Sequence, residues 1–172
     1  MLKLMGVLMV FAGCSLTGIV LDFKYRKRIK ELENFIYAFE YLKGEIDYRL
    51  TPLQEACYLV GVETKHDIGK VFITFSKLLG ERTASTGSSL WKEALEREKY
   101  RYDLTAEDYS LLEEFGRGIG QMDKKMQQAN INLIQGKLKM TLDLALKEHE
   151  KTGKLRTGMG ILVGACISIL II

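Results

Sequence analysis

Histidines, cysteines and carboxylates close enough to share a proton or a metal ion are the first mark of chemistry, and this 172-residue chain offers few of them. His66 lies between helical stretches and His149 in the charged run Lys147-Glu148-His149-Glu150; neither has a cysteine or a second histidine at ligand spacing. Cys14, Cys57 and Cys166 are far apart and odd in number, so they suggest neither a disulfide framework nor a zinc site. Cys57, with no base beside it, reads as a small buried hydrophobe. Gly116-Arg117-Gly118-Ile119-Gly120 has the glycine density of a phosphate loop, but it follows a helix and lacks the dinucleotide-binding spacing. A tight corner between helices that needs positive φ explains it better, with Gly116 and Gly120 as structural residues. Most carboxylates alternate with lysine and arginine, as in Glu93, Glu96, Arg97, Glu98 and Lys99, the pattern of a solvated helix face. Glu45 differs, lying next to Ile46 and just before a helix start, where it serves as a partner contact or a structural hydrogen-bond acceptor. The expectation is a protein with no catalytic, cofactor-binding or metal-binding set; a membrane-bound hydrolase would need a nucleophile that the sequence does not nominate.

The elements around these residues are helical. Ile29, Leu32, Ile36, Phe39, Leu42 and Ile46 recur at three and four and trace one apolar helix face. Thr51-Pro52-Leu53-Gln54 then predicts a helix start, with Thr51 as N-cap, Pro52 at the first helical position and Gln54 completing a capping box. That helix is expected to run to about Val60, and a third from Asp67 to Leu79, where Gly80 stops it. Gly80 to Ser88 reads as a loop, after which Ser88 or Ser89 caps a helix holding Leu90, Trp91, Ala94 and Leu95. Thr105, with Asp108 three residues on, caps the next. Asp123 caps the last and longest, whose apolar stripe is read as Ala129, Leu133, Ile134, Leu138, Leu142, Ala145 and Leu146. No stretch alternates at a period of two. The class is therefore all-α, with a six-helix bundle-like domain over residues 24–154.

Apolar residues gather at the two ends. Leu4 to Leu21 is eighteen residues without a charge, about 27 Å of helix at ~1.5 Å per residue, which is close to a membrane's hydrocarbon thickness. Thr157 to Ile172 is sixteen more, with small residues at four-residue spacing in Gly160 and Gly164. Residues 1–23 and 155–172 are thus expected to be N-terminal and C-terminal transmembrane helices that bind membrane lipids. Lys24, Arg26, Lys27, Arg28 and Lys30 follow the first, and Lys147, Lys151, Lys154 and Arg156 precede the second, which predicts a cytoplasmic middle domain. A cleaved secretory signal would have the opposite charge bias. The competing reading is a secreted or lipoprotein-like helical adhesion or sensor module processed at Cys14, in the box Phe11-Ala12-Gly13-Cys14. A net charge of only +3, and a basic cluster that abuts an apolar run, argue against nucleic acid as a partner.

Three stretches in order carry a family resemblance: Glu45-Ile46-Asp47-Tyr48-Arg49-Leu50-Thr51-Pro52-Leu53-Gln54-Glu55-Ala56, then Trp91-Lys92-Glu93-Ala94-Leu95, then Phe115 through Asp123 followed by Gln127. With the chain length and the two apolar ends, they make the whole chain resemble the stage III sporulation protein AB family of endospore-forming bacteria. Ile119 and Met122 depart from the residues usual there, and Cys14 is unexpected. The resemblance implies a non-enzymatic platform in the channel complex between mother cell and forespore, held in the mother-cell membrane. Its soluble fold would be similar to that of the platform protein of type II secretion and type IV pilus systems. It would couple a cytoplasmic ATPase, stage III sporulation protein AA, to membrane partners encoded alongside, with room for a homo-oligomer. Glu45, Tyr48, Arg49, Asp123 and Gln127 are the partner-contact candidates taken from these motifs.

Overall fold

The computed structural model describes residues 2–64, 67–81, 85–117, 119 and 124–171, and side chains within the end helices from 20 onward and from 125 to 151. Six α-helices follow one another: α1 (Leu2–Asp47), α2 (Leu53–Glu63), α3 (Ile68–Gly80), α4 (Gly87–Glu98), α5 (Ala106–Phe115) and α6 (Lys124–Ile171), with a 3-10 turn at Lys99–Arg101. No strand occurs among the described residues. The terminal apolar runs are not separate elements but continue into α1 and α6, helices of 46 and 48 residues. The charged stretch Asp22 to Lys30 contains no proline or glycine, so nothing in it ends the helix. Among the described residues no helix is long and apolar enough to cross a membrane. Most of both apolar runs lies outside the described side chains.

Contacts divide the chain into two units, one made of Met1–Ile29 with Asp143–Ile172 and the other of Lys30–Leu142. In the first, side chains tie α1 to α6. The Tyr25 hydroxyl donates to Glu148 Oε2 at 2.6 Å, His149 Nε2 lies 3.1 Å from Asp22 Oδ1, and the Tyr25 and His149 rings stack 5.8 Å apart.

The second unit is built around Trp91. Its ring packs against Phe75 at 5.1 Å, Phe72 at 5.4 Å and Phe115 at 4.9 Å, while Phe39 meets Phe115 at 4.8 Å. These five aromatics are almost wholly buried, each worth roughly 1.5–3 kcal/mol by burial, and their edge-to-face pairs add about 0.5–1.5 kcal/mol each. Trp91 Nε1 donates to the Leu112 carbonyl at 2.7 Å, so the indole is satisfied without water. From α1 come Leu32, Ile36, Phe39, Leu42 and Ile46, as the spacing predicts, joined by Phe35 and Ala38. α2 and α3 approach backbone to backbone: a Cβ on Gly61 would sit 2.8 Å from the Gly69 carbonyl, and one on Gly69 would sit 2.6 Å from the Thr64 carbonyl.

Several local expectations are corrected. α2 continues to Glu63, beyond Val60. α4 is capped by Thr86, whose Oγ1 accepts from the Ser89 N–H at 3.3 Å, and not by Ser88 or Ser89. Thr105 and Asp108 do form the reciprocal capping box expected of them. Gly116 has φ −64°, so no left-handed backbone calls for glycine there. A Cβ would instead lie 2.8 Å from Trp91 Cδ1, so the close approach of α5's end to the indole excludes a side chain. Gly118 and Gly120 lie outside the described residues. On α6 the buried row is Ile131, Ile134, Leu138 and Ala145, whereas Ala129, Leu133 and Leu146 of the predicted stripe are exposed. The helix carries two apolar rows, and spacing alone does not say which one faces inward.

Candidate functional site

The end of α1 is the place where a buried charge, a strained residue and exposed large side chains coincide. Glu45 is 3% exposed, the most deeply buried glutamate described, yet it stands one turn from the end of a surface helix. Its carboxylate accepts from Arg49 Nη1 at 3.0 Å through Oε1 and from the Thr51 hydroxyl at 3.0 Å through Oε2. Its backbone carbonyl accepts from the Thr51 N–H at 3.1 Å. Three hydrogen bonds therefore fold residues 48–51 back against the last turn, and a half-satisfied buried carboxylate would not hold them there. One turn earlier, burial first and the Glu45 charge second push the Tyr41 phenol up from its ordinary value.

This brace holds Leu50 at φ 57°, the one left-handed non-glycine residue described. For a bulky side chain such a conformation costs on the order of 1 kcal/mol and persists only where the surroundings enforce it. Its effect is to push three consecutive side chains outward: Tyr48 is 87% exposed and Leu50 66%, and the Arg49 side chain is 69% exposed while tied to Glu45 at one nitrogen. Tyrosine and arginine are the residue types that dominate binding hot spots.

The capping box predicted at this junction does not form. Thr51 spends its hydroxyl on Glu45, six residues back, and α2 starts at Leu53 with Pro52 in the N-cap position and no side-chain cap. Gln54 is exposed, its amide close to Gly80 and not folded back to Thr51, while its carbonyl accepts from Ser76 Oγ at 2.7 Å. Donating to the carboxylate, in a charge-assisted bond about twice as strong as a neutral one, turns the hydroxyl toward α1, and its oxygen accepts from no N–H at the start of α2.

Beside the turn lies a small apolar cleft whose walls include Ile46, Leu53, Phe115, Ile119, Gln127 and Ile131. Asn130, also on its wall, donates to the Phe115 carbonyl at 2.9 Å, fixing α6 to the end of α5. Of the five partner-contact candidates, Glu45, Tyr48 and Arg49 meet in the turn, Gln127 faces the neighbouring cleft, and Asp123 lies outside the described residues. Leu50, which the same turn presents, was not among the candidates because left-handed geometry leaves no mark on a leucine in sequence. Cys57 is fully buried with its thiol pushed up by burial, and no cluster of three or more metal-ligating side chains occurs among the described residues. What the corner can do chemically is bind: it offers an aromatic ring, a guanidinium and an aliphatic group on a rigid mount.

Comparison with known proteins places these features in a family. Residues 3–172 match the family model described as Stage III sporulation protein AB. The chain is similar to the Stage III sporulation protein AB of Bacillus subtilis (strain 168), 25% identical over 171 residues, covering 99% of both chains. It is also similar in fold to a solved structure of a Stage III sporulation protein AB, with a TM-score of 0.66 at 23% identity, covering 73% of this chain and 98% of that one. The match extends over all six helices, and the chain belongs to the stage III sporulation protein AB family.

Proposed function

We propose that the protein is a membrane-held platform of the sporulation channel complex between mother cell and forespore, and that it couples a cytoplasmic secretion-type ATPase, stage III sporulation protein AA, to channel partners in the membrane. Both chain ends would lie in the mother-cell membrane and the helical unit in the cytoplasm. Family membership supports the sporulation setting, and the two uncharged terminal runs with basic flanks support the anchoring. The observation that carries the docking role is the Glu45-braced turn presenting Tyr48, Arg49 and Leu50. A turn fixed in advance loses little conformational freedom on binding, which favours recognition by a few anchor residues.

The test uses the full chain in sporulating cells with a photo-crosslinking residue at position 48, and a control at position 96, exposed on α4. Capture of the ATPase from position 48 and not from position 96 is the expected result. Capture from neither position, or release of the intact protein from membranes by alkaline carbonate, refutes the proposal.

A further inference from the structure

Charge is not spread evenly over the chain. The unit made of Met1–Ile29 and Asp143–Ile172 carries nine basic and four acidic residues, whereas the helical unit of Lys30–Leu142 carries sixteen and eighteen. In the first unit the polar contacts between helices occupy one side of α1, where Asp22 and Tyr25, three residues apart, meet His149 and Glu148. The opposite side of the same stretch points away from α6. Val20, Phe23, Lys24 and Lys27 lie there, at the i, i+3, i+4 and i+7 spacing of a single helix face. Val20 is 52% exposed and Phe23 68%, and Lys24 is exposed as well.

Over seven residues, about 10 Å of helix at ~1.5 Å per residue, this face changes from apolar to cationic. The polar layer outside a bilayer's hydrocarbon is roughly 5–7 Å deep on each side. With Phe23 at the hydrocarbon edge, Lys24 and Lys27 therefore fall within that layer, since one helical turn rises ~5.4 Å. The neighbouring cations are already engaged. Arg26 Nε lies 2.7 Å from Asp22 Oδ2, and Lys147 Nζ lies 2.7 Å from Asp143 Oδ2. Lys151 on α6 has the carboxylate of Glu150 next to it in sequence. Lys27 has a contact of its own within the protein, but Lys24 forms no ion pair with a described residue.

We infer that this face of α1 binds a phospholipid with a net-negative headgroup, the acyl chains lying along Val20 and Phe23 and the phosphate at Lys24, with Lys27 adding positive potential three residues on. The order of chemistry along the face selects the occupant. A free phosphate gains nothing from the apolar half, and an acidic protein segment stays on the water side of Phe23. A lipid is apolar at one end and anionic at the other, in the same order as the face. Because such a ladder works only beside hydrocarbon, it stands on the membrane anchoring proposed above.

The full chain is reconstituted in phosphatidylcholine vesicles with a trace of spin-labelled phosphatidylglycerol or spin-labelled phosphatidylcholine. Electron spin resonance reads the fraction of each label that the protein immobilises. A several-fold preference for the phosphatidylglycerol label is expected. A lysine at the membrane surface is worth about 5-fold in binding an anionic lipid, so Lys24→Gln lowers the preference by up to that factor and Lys24→Arg restores it. Lys139→Gln, which removes an exposed charge from the helical unit, leaves it unchanged. Equal immobilisation of the two labels, a Lys24→Gln chain that keeps its preference, or an equal fall in Lys139→Gln overturns the inference. So does loss of the preference in soluble glycerol phosphate but not in chloride of equal ionic strength, the sign of a free-anion site. Release of the chain from these vesicles by alkaline carbonate overturns the anchoring and the lipid site together, whereas a chain that stays in them and favours neither label overturns the lipid site alone.

Discussion

Replacing Gly116 with alanine adds one methyl group against the buried indole of Trp91, and the cost can be worked out contact by contact. The new Cβ would lie 2.8 Å from Trp91 Cδ1, 3.1 Å from its Cβ and 3.2 Å from its Cγ. Ordinary van der Waals contact begins near 3.4 Å, so the nearest pair must separate by about 0.6 Å. Trp91 cannot yield easily, because Phe72, Phe75 and Phe115 surround it and its Nε1 is bonded to the Leu112 carbonyl. Overpacking of this kind costs about 1–3 kcal/mol. The backbone at φ −64° accepts alanine, so about 0.4–1 kcal/mol returns through the lower entropy of the unfolded chain. Taken at their midpoints, about 2 less about 0.7, the two effects leave a net loss of ~1.3 kcal/mol, a fall of about 9-fold in the folded-to-unfolded ratio. Denaturant unfolding of the full chain in detergent measures it, with Trp91, the sole tryptophan, as the fluorescent reporter. Gly44→Ala is the paired control: a Cβ there meets nothing within 4 Å, and the variant is expected to gain about 0.8–1.0 kcal/mol from helix propensity. A Gly116→Ala protein as stable as the parent would refute the claim that the indole, and not the backbone, keeps a glycine at 116.

Four further outcomes are expected. Glu45→Ala removes two side-chain hydrogen bonds and destabilises by roughly 1–2 kcal/mol, tempered because Arg49 regains water; faster amide exchange at Thr51 checks it, and unchanged exchange would contradict the brace. Thr105→Ala breaks the capping box of α5 and costs about 1 kcal/mol, read by the same unfolding assay. Cys57, with its thiol pushed up by burial, resists alkylation in the folded protein and reacts only on unfolding, as peptide mapping would show; rapid native labelling would contradict the packing. Burial, with nearby carboxylates acting in the same direction, pushes the Tyr109 phenol up to about 12. Its neutral form is the one the fold favours, so its contribution is complete below the unfolded phenol's value near ~10 and is lost as pH rises through about 12. Tyr109→Phe should show a shallower alkaline loss of stability, and an unchanged alkaline limb would count against the assignment.

The helical class was legible because apolar residues recur at three and four throughout, and Leu90, Trp91, Ala94 and Leu95 are buried together as that rule predicts. The Thr105 cap was legible because its partner Asp108 lies within the same helical turn. Thr51 misled because its hydroxyl is turned toward Glu45, a residue of the preceding helix whose burial depends on tertiary packing. Gly116 was identified with the wrong cause, since a close approach and a left-handed backbone select the same residue and only coordinates tell them apart. The inward face of α6 was misread for a related reason: Leu133 and Ile134 are neighbours in sequence, one exposed and one buried, and both fit helical spacing. At the candidate corner, Glu45, Tyr48 and Arg49 were singled out through their shared motif, but nothing in the letters indicated the twisted geometry that separates Leu50 from its neighbours.

That leucine sets a trap for protein engineers. Glycine or asparagine would sit at position 50 with less conformational penalty, so a screen for heat-resistant variants would be drawn there early. The winners would unfold later and look improved by every calorimetric criterion while having shed an outward-facing aliphatic group from the corner. Selecting for toughness alone would quietly erase a piece of the proposed docking surface.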